Sequence, residues 1–177
     1  MSHKEDQNPA LQTQRLCLRR PRPSDAPDIL RIRSDAEYTR LTGISYKILA
    51  DADAYLQRIA RQIAADEVRF WMIAAREDGR VLGSICLWNL TWEQKQGEIG
   101  YDLLPASRGK GYMSEAAGGV LGYAFGALGL KTVVAQGIHP DNAKSVAVLR
   151  RAGFQPAQKE HCYYLRKEDY EGSQNNG

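Results

Sequence analysis

Residues 98–116 combine a glycine-rich loop with cationic side chains, a pattern typical of anion binding. The stretch reads EIGYDLLPASRGKGYMSEA, in which a strand-like segment ends at a proline and a helix begins near Ser114. Between them lies Arg-Gly-Lys-Gly at positions 108–111. Glycines allow backbone N–H groups to approach a diphosphate closely, and a helix N-terminus adds unpaired N–H donors and a partial positive charge. The sequence therefore predicts a phosphate-binding loop with Arg108 and Lys110 at its rim.

The spacing of this loop disfavours the two common nucleotide-binding motifs. A Walker loop requires Ser or Thr after its Gly-Lys pair, whereas Lys110 is followed by Gly111. A dinucleotide fingerprint that begins at Gly109 requires a third glycine where Ser114 stands. A loop with a purely structural role, followed by a tightly packed helix, stays open as the alternative.

Glycine is in excess along this part of the chain. Sixteen of the 177 residues are glycine, and seven of them fall between positions 109 and 129. Four lie in the helix that follows the loop: Gly118, Gly119, Gly122 and Gly126. Each glycine costs a helix roughly 1 kcal/mol relative to alanine, so we expect this helix to lie close against a sheet.

The remaining sequence predicts the strands and helices that must hold the loop in place. Alternating apolar residues indicate strands, and apolar residues recurring every three or four positions indicate helices. In chain order these are a strand at 16–18, a helix from 24, a helix over 51–66, strands over 70–75 and 81–88 joined by a hairpin, a strand over 97–104, a helix over 114–128, a strand over 132–138, a helix over 142–152 and a strand over 163–165. The order favours an α/β (α+β) fold whose central mixed, mostly antiparallel sheet is flanked by about four helices.

The length predicts one domain over residues 15–170, with a flexible N-terminal arm at 1–14 and a polar tail at 171–177. Hydrophobic residues make up 43% of the chain and charged residues 25%, as in soluble domains. No apolar run approaches the roughly 18 residues that a membrane helix needs, and the first residues are polar where a signal peptide carries an apolar core. We therefore expect a cytoplasmic protein without a membrane partner.

Charge and cysteine content narrow the ligands further. A net charge of +3 suits a small anionic ligand and falls short of a nucleic-acid-binding footprint, so we expect no nucleic-acid partner. The cluster of arginines at 15–22 is interpreted as a solvated face. The three cysteines, Cys17, Cys86 and Cys162, show no metal-ligand spacing. We expect them to be reduced and packed, and we expect no metal site.

Three segments together resemble one family. Residues 108–111 match the (Gln/Arg)-x-x-Gly-x-(Gly/Ala) acyl-CoA loop of the GNAT superfamily of N-acetyltransferases. The stretch HPDNAKSVAVLRRAGF at 139–154 resembles that superfamily's second CoA-contacting segment, in its RimJ/RimL-type (ribosomal-protein N-terminal acetyltransferase-like) form. The stretch QRLCLRRPRPSDAPDI at 14–29 is similar to the start of that subgroup. The resemblance spans about residues 12–166 and is more specific than the loop alone.

The resemblance implies a GNAT fold and an N-acetyltransferase that moves an acetyl group directly from acetyl-CoA to a primary amine. The acceptor would be a protein N-terminus or a small-molecule amine, and homodimers are common among similar proteins. In the family, the backbone of the loop holds the CoA pyrophosphate and the preceding strand pairs with the pantetheine arm. The residues implied here to bind the cosubstrate are Leu103, Leu104, Arg108, Gly109, Lys110, Gly111, Tyr112, Met113, Ser114 and Asn142. For Asn142, a simple helix cap is an equally good interpretation.

The resemblance also implies catalytic roles. Glu98 matches a glutamate that serves as the base in some relatives, and a solvated strand residue is the alternative interpretation. Ser145 lies one turn after Asn142, where its hydroxyl would stabilise the leaving thiolate; an ordinary exposed helix serine is the alternative. Among the aromatic residues, Trp92 is the one expected to line an acceptor pocket.

Two residues depart from the family pattern. Met113 stands where glycine or alanine is usual, so its side chain must point away from the pyrophosphate or crowd it. Leu149 replaces the tyrosine that protonates the thiolate in many members, which leaves the acid role unfilled. These departures make a non-catalytic acyl-CoA-binding or regulatory module the alternative function.

Overall fold

The computed structural model describes residues 7–176 and contains an eight-stranded sheet and six α-helices within them. The strands are β1 (Leu11–Gln12), β2 (Leu16–Arg19), β3 (Arg69–Ala75), β4 (Val81–Thr91), β5 (Gln96–Leu103), β6 (Thr132–Ala135), β7 (Gln155–Pro156) and β8 (Tyr163–Arg166). The helices are α1 (Ala26–Arg33), α2 (Ala36–Thr42), α3 (Leu49–Ala64), α4 (Tyr112–Phe125), α5 (Ala143–Arg151) and α6 (Lys167–Asn175).

The sheet has the order β1-β2-β3-β4-β5-β6-β8-β7. Its neighbouring strands are antiparallel except for the parallel pair β5 and β6. The predicted mixed, mostly antiparallel α/β fold is therefore confirmed. The structure adds two helices to the four expected, because α2 is only seven residues long and α6 is polar along its whole length.

Helices cover both faces of the sheet. On one face α1 and α3 pack on Phe70 and Met72 of β3, and on the other α4 and α5 pack near Trp71 and Ile73. Consecutive side chains of a strand point to opposite faces, so a strand covered on both sides is apolar throughout. This explains why β3 is buried over its full length.

The sheet opens between β5 and β6. Among the described residues, β5 pairs with β6 only through its first three residues, 96–98. The N–H of Leu104 donates to the carbonyl of Leu82 on the β4 side, at 2.8 Å. Backbone groups of successive strand residues alternate in direction, so those of Tyr101 and Leu103 face the β6 side, where no strand pairs with them. The end of β5 therefore presents free backbone donors and acceptors to a cleft.

Residues 7–14, which were predicted to be part of a flexible arm, are attached to the sheet, and residues 1–6 lie outside the described part of the chain. The side chain of Asn8 is buried and exchanges two hydrogen bonds with the backbone of Phe70, at 2.7 and 3.0 Å. The indole Nε1 of Trp71 donates to the carbonyl of Pro9 at 2.7 Å. These bonds attach residues 8 and 9 to β3, and β1 pairs with β2 at the edge of the sheet. At the other end, the predicted polar tail continues as helix α6 to Asn175, with exposed residues from 171 onward.

The close packing expected of the α4 glycines holds for some of them only. A methyl group at Gly119 would lie 3.0 Å from Thr13 Cγ2, and one at Gly122 would lie 3.5 Å from the hydroxyl of Tyr170. A methyl group at Gly118 would meet nothing within 4 Å. Gly118 therefore has no packing role.

Candidate active site

The glycine-rich loop adopts a conformation that leaves its amides free. Gly109 and Gly111 have φ angles of +75° and +78°, in the left-handed region that favours glycine. Among residues 7–176, no hydrogen bond uses the N–H groups of residues 109–114. The N–H of Arg108 already donates to the carbonyl of Pro105 at 3.2 Å. The free donors therefore begin at Gly109, one residue later than predicted.

The loop is held from behind by two residues of the turn between β1 and β2. The guanidinium of Arg15 donates to the carbonyl of Lys110 at 2.9 Å and to the carboxylate of Glu115 at 2.6 Å. The same guanidinium lies over the ring of Tyr112, and the hydroxyl of Thr13 donates to Glu115 at 2.6 Å. Burial acts to raise the pKa of Glu115, but the bonds from Thr13 and Arg15 hold it below its usual value. Arg15 is therefore part of the loop's support, not of a solvated face.

The two cationic side chains of the loop lie in different surroundings. Lys110 is exposed and does not border the cavity described below. Arg108 instead pairs with two carboxylates at the start of α2, Glu37 at 2.7 Å and Asp35 at 3.0 Å. Lys144 of α5 lies 3.3 Å from Glu37 as well. Glu37 thus bridges the loop and α5 through its two carboxylate oxygens.

A cavity of about 290 Å³ lies between the loop, the open end of β5, α2 and the start of α5. Leu103, one of the residues that the resemblance assigns to the pantetheine arm, borders it. Leu104 does not, because its N–H donates to Leu82 and its carbonyl accepts from Ser107. The backbone of Leu104 is therefore not free to pair with a molecule in the cavity. Ser114 also borders the cavity.

The two residues that depart from the family pattern, Met113 and Leu149, are both buried. Met113 is 5% exposed, packs in the core with residues of α4 and also borders the cavity. Leu149 is 1% exposed and lies in the same core, so it offers no polar group to the cavity.

Helix α5 brings two predicted residues to the cavity. Asn142 caps the helix, because its Oδ1 accepts from the N–H of Ser145 at 3.1 Å. Asn142 borders the cavity at the same time, and its Nδ2 makes no hydrogen bond with another described residue. Ser145 is buried, not exposed, and its hydroxyl lies 2.9 Å from the hydroxyl of Tyr101. Both interpretations of Asn142 are therefore compatible with its position.

Tyr101 of β5 is a cavity residue to which the family resemblance assigns no role. Its hydroxyl contacts Ser145 inside the cavity, and burial raises its pKa to about 12. The phenol thus stays protonated near neutral pH and can donate a hydrogen bond. The signal in the sequence was its place on the strand before the loop, but alternation alone does not tell core from cavity.

A second cavity of about 980 Å³ meets the first. Four residues border both: Tyr38, Thr42, Tyr101 and Asp102. Aromatic rings line the larger cavity, and Trp92 is among them, at 45% exposure. The two cavities together form a passage that runs from the loop, past the end of β5, to this aromatic wall.

The two acidic residues of β5 occupy different environments. Glu98 is buried and its Oε2 accepts from the amides of Asn89, at 3.0 Å, and Gln136, at 3.4 Å. It borders neither cavity. Asp102, which the sequence reasoning missed, borders both and accepts from the hydroxyl of Ser84 at 2.6 Å. The carboxylate at the junction is therefore Asp102.

Residues 7–176 contain no group of three or more His, Cys, Asp or Glu side chains placed to hold a metal ion. None of the helices in the same range is long and apolar enough to cross a membrane.

Comparison with known proteins gives a consistent result. The profile of the acetyltransferase (GNAT) domain matches residues 15–155. The uncharacterized N-acetyltransferase YoaA of Bacillus subtilis (strain 168) is 32% identical over 148 residues, which cover 83% of each chain. RimJ of Mycobacterium smegmatis in complex with CoA-disulfide has the same fold, with a TM-score of 0.75 at 21% identity over 90% of this chain and 87% of that one. So does spermidine N-acetyltransferase of Vibrio cholerae in complex with CoA and spermine, with a TM-score of 0.75 at 16% identity over 88% and 98%. The chain therefore belongs to the GNAT family of acetyltransferases.

Proposed function

We propose that this acetyltransferase moves the acetyl group of acetyl-CoA to a primary amine by direct transfer within a ternary complex. The observation that carries the proposal is the meeting of two cavities at Tyr101 and Asp102. One cavity is bordered by a loop of free amide donors, and the other by aromatic rings. Direct transfer requires donor and acceptor to be held side by side, and two connected cavities supply that arrangement.

The residues around the smaller cavity fit acetyl-CoA. The N–H groups of residues 109–114 suit a diphosphate. The free backbone groups of Tyr101 and Leu103 suit the amides of an extended pantetheine arm, as in the addition of a strand to a sheet edge. Asn142 adds its Nδ2 as a donor. Acetyl-CoA, when bound, supplies a thioester whose carbonyl carbon is open to attack by a neutral amine.

The larger cavity favours an acceptor with one amine and an apolar or aromatic body. Its walls include the rings of Tyr55, Phe70, Trp88 and Trp92. Of the three carboxylates on its walls, Asp66 lies 2.5 Å from Arg69, which leaves Glu67 and Asp102 for the ammonium group of an acceptor. A single amine needs only one of them, whereas a polyamine would bring its further ammonium groups against the aromatic walls.

A protein N-terminus fits the same description, and it would place the chain in the RimJ/RimL-type subgroup that the sequence resembles. An α-amino group has a pKa of about 8, so its deprotonation at pH 7 costs only roughly 1.4 kcal/mol. A lysine side chain, with a pKa of about 10.4, would cost roughly 4.6 kcal/mol. The α-amine therefore makes the smaller demand on the enzyme's base.

The proposal predicts amine-dependent release of CoA thiol from acetyl-CoA. The assay uses a panel of short peptides with free N-termini, arylalkylamines, amino acids and spermidine, with mass spectrometry of the product. Cys17 and Cys86 are partly exposed free cysteines, so blanks without amine account for their reaction with the thiol reagent. We expect turnover with peptides or arylalkylamines above that with spermidine. Calorimetric binding of CoA without turnover of any amine would contradict the enzyme and favour a binding module.

The hydroxyls of Tyr101 and Ser145 are predicted to stabilise the leaving thiolate by hydrogen bonding. A phenol with a pKa of about 12 gives up its proton to a thiolate of pKa about 8.5 only at a cost of roughly 5 kcal/mol, so complete proton transfer is disfavoured. Loss of one hydrogen bond to a charged group costs about 1.5 kcal/mol, and we therefore expect Tyr101→Phe to lower kcat about tenfold. The KM for acetyl-CoA should change little.

The matched control is Tyr123→Phe, which removes a phenol hydroxyl on α4 away from both cavities and should leave kcat unchanged. Because the two hydroxyls contact each other, Ser145→Ala should add less to Tyr101→Phe than it costs alone. Full additivity, or a kcat for Tyr101→Phe equal to that of the unmodified enzyme, would remove the pair from catalysis.

A further inference from the structure

Asp102 lies at the end of β5, at the point where the two cavities join. Its side chain is only 9% exposed. It follows Tyr101 directly in the strand, so the two side chains leave opposite faces of the sheet. Tyr101 belongs to the α4 and α5 side, and Asp102 to the side of α1 and α3. An amine in the larger cavity would thus reach Asp102 while the thioester lies beside Tyr101.

The hydrogen bonds of this carboxylate are incomplete. Its Oδ1 accepts from the hydroxyl of Ser84 at 2.6 Å. Its Oδ2 accepts no hydrogen bond from another residue in the described range, and its closest cation, Arg33 Nη2, lies 3.9 Å away. A carboxylate has room for about four hydrogen bonds. Oδ2 is therefore available to a donor that enters from the cavity, and an ammonium group is such a donor.

We propose that Asp102 accepts the proton that the acceptor ammonium must lose before it attacks the thioester. This role rests on the proposed acetyl transfer. The ammonium N–H bond breaks and its proton passes to Oδ2; the neutral nitrogen then forms the C–N bond as the C–S bond breaks. The second proton of the nitrogen goes to the departing thiolate, and Asp102 returns the first to solvent. The reaction thus transfers one acetyl group and two protons, and nothing is oxidised or reduced.

The groups around Asp102 act on the pKa of its carboxyl group. Burial raises its pKa above the ordinary value of 3.8, whereas Arg33 and the bond from Ser84 act to lower it. The titratable and charged groups that face it come from five elements: Arg33 of α1, Tyr38 of α2, Tyr55 of α3, Cys86 of β4 and Arg108 of the loop. Arg33 is itself enclosed by three tyrosine rings, with Tyr55 nearest at 3.9 Å. A base acts best when its pKa lies near the working pH.

Glu98 is the competing base, as predicted from the family resemblance. Its Oε2 already accepts from two amides, and it borders neither cavity. The two carboxylates lie on the same strand and both are buried, so amide replacements of each form a matched pair. Asp102→Asn and Glu98→Gln keep the shape of the side chain and remove only its charge.

The test measures kcat against pH for the unmodified enzyme and these two variants, with the best amine of the panel at saturation. We expect Asp102→Asn to lower kcat at pH 7 by roughly 10- to 100-fold, with unchanged calorimetric binding of CoA and loss of the acidic limb of the profile. Glu98→Gln should keep that limb. A large loss in Glu98→Gln with an active Asp102→Asn would assign the base to Glu98 and overturn the proposal.

Ser84→Ala provides a second variant in which the carboxylate is retained. Without the hydroxyl that stabilises the ionised form, the pKa of Asp102 should rise, and the acidic limb should move to higher pH by about one unit. An unmoved limb would contradict the role of Asp102 even if Asp102→Asn failed to fold. If the unmodified enzyme acetylated no amine at all, the acetyl-transfer function itself would fail, whereas an active enzyme with an active Asp102→Asn would overturn Asp102 alone.

Discussion

Replacing Gly111 by alanine is expected to weaken acetyl-CoA binding at least about 100-fold. Gly111 has φ of +78° and is the N-cap of α4. An L-residue in this conformation costs roughly 1–2 kcal/mol, and the new methyl group would lie 3.4 Å from Arg15 Nη2, the side chain that supports the loop. Relaxation out of the left-handed region would turn the loop amides away from the diphosphate, and each such bond to a charged group contributes about 1.5–3 kcal/mol.

The matched control is Gly118→Ala, the same substitution seven residues later. Gly118 lies within α4, and a methyl group there meets nothing within 4 Å. Alanine is preferred over glycine in a helix by about 1 kcal/mol, so this variant should unfold at a higher temperature and bind CoA normally. Isothermal calorimetry with CoA and thermal unfolding of both variants provide the measurement. Normal CoA binding by Gly111→Ala would show that the loop amides do not hold the diphosphate.

Trp71→Ala is expected to lower the free energy of unfolding by about 3–5 kcal/mol. Trp71 is fully buried in the centre of β3, and its ring meets that of Tyr123 edge-on at 5.6 Å. Its indole N–H also holds the carbonyl of Pro9. The alanine variant would lose the packing on α4 and the attachment of residues 7–14 at once. Urea unfolding measures the loss, and limited proteolysis should cut the N-terminal residues earlier.

Trp71→Phe separates these two effects. Phenylalanine keeps most of the buried ring but has no donor for Pro9, so we expect a cost of about 1–2 kcal/mol with the same early proteolysis near the N-terminus. If Trp71→Ala lowered the free energy of unfolding by less than about 1 kcal/mol, the attachment of this segment to β3 would not stabilise the fold.

The strands and the longer helices follow from the sequence because their side-chain periods are strong. The five apolar residues of α3 (Ala52, Tyr55, Leu56, Ile59 and Ile63) recur at helical spacing, and all are buried in the structure. The hairpin of β3 and β4 follows from two apolar runs around a turn. Helix α2 was not predicted because its sequence, AEYTRLT, has no buried face. The attachment of the N-terminal segment was not predicted because it depends on the side chain of Asn8, which is sixty-two positions from its partner Phe70 in the chain.

For the site, the glycines predicted the loop but not the partners of its side chains. Arg108 was expected at the rim, yet it pairs with Asp35 and Glu37 more than seventy positions away in the chain. Asp102 could not be distinguished from Glu98 by spacing, because both side chains leave the same face of β5. Only the opening between β5 and β6 determines which of the two reaches a cavity, and that opening depends on where the short β6 ends.

The open end of β5 is an unpaired strand edge that lies inside a cleft of the protein. An unpaired strand edge at a surface can join the edge of another copy and start aggregation, so proteins shorten, charge or cover such edges. The two outermost strands here, β1 and β7, are two residues long, which blunts the edges that face solvent. The free edge at Tyr101 and Leu103 lies instead in a cleft between α2 and α5, which admits a slender extended molecule but not the border of another sheet. This unpaired backbone segment is therefore accessible to a small extended partner and shielded from the sheet edge of a neighbouring copy.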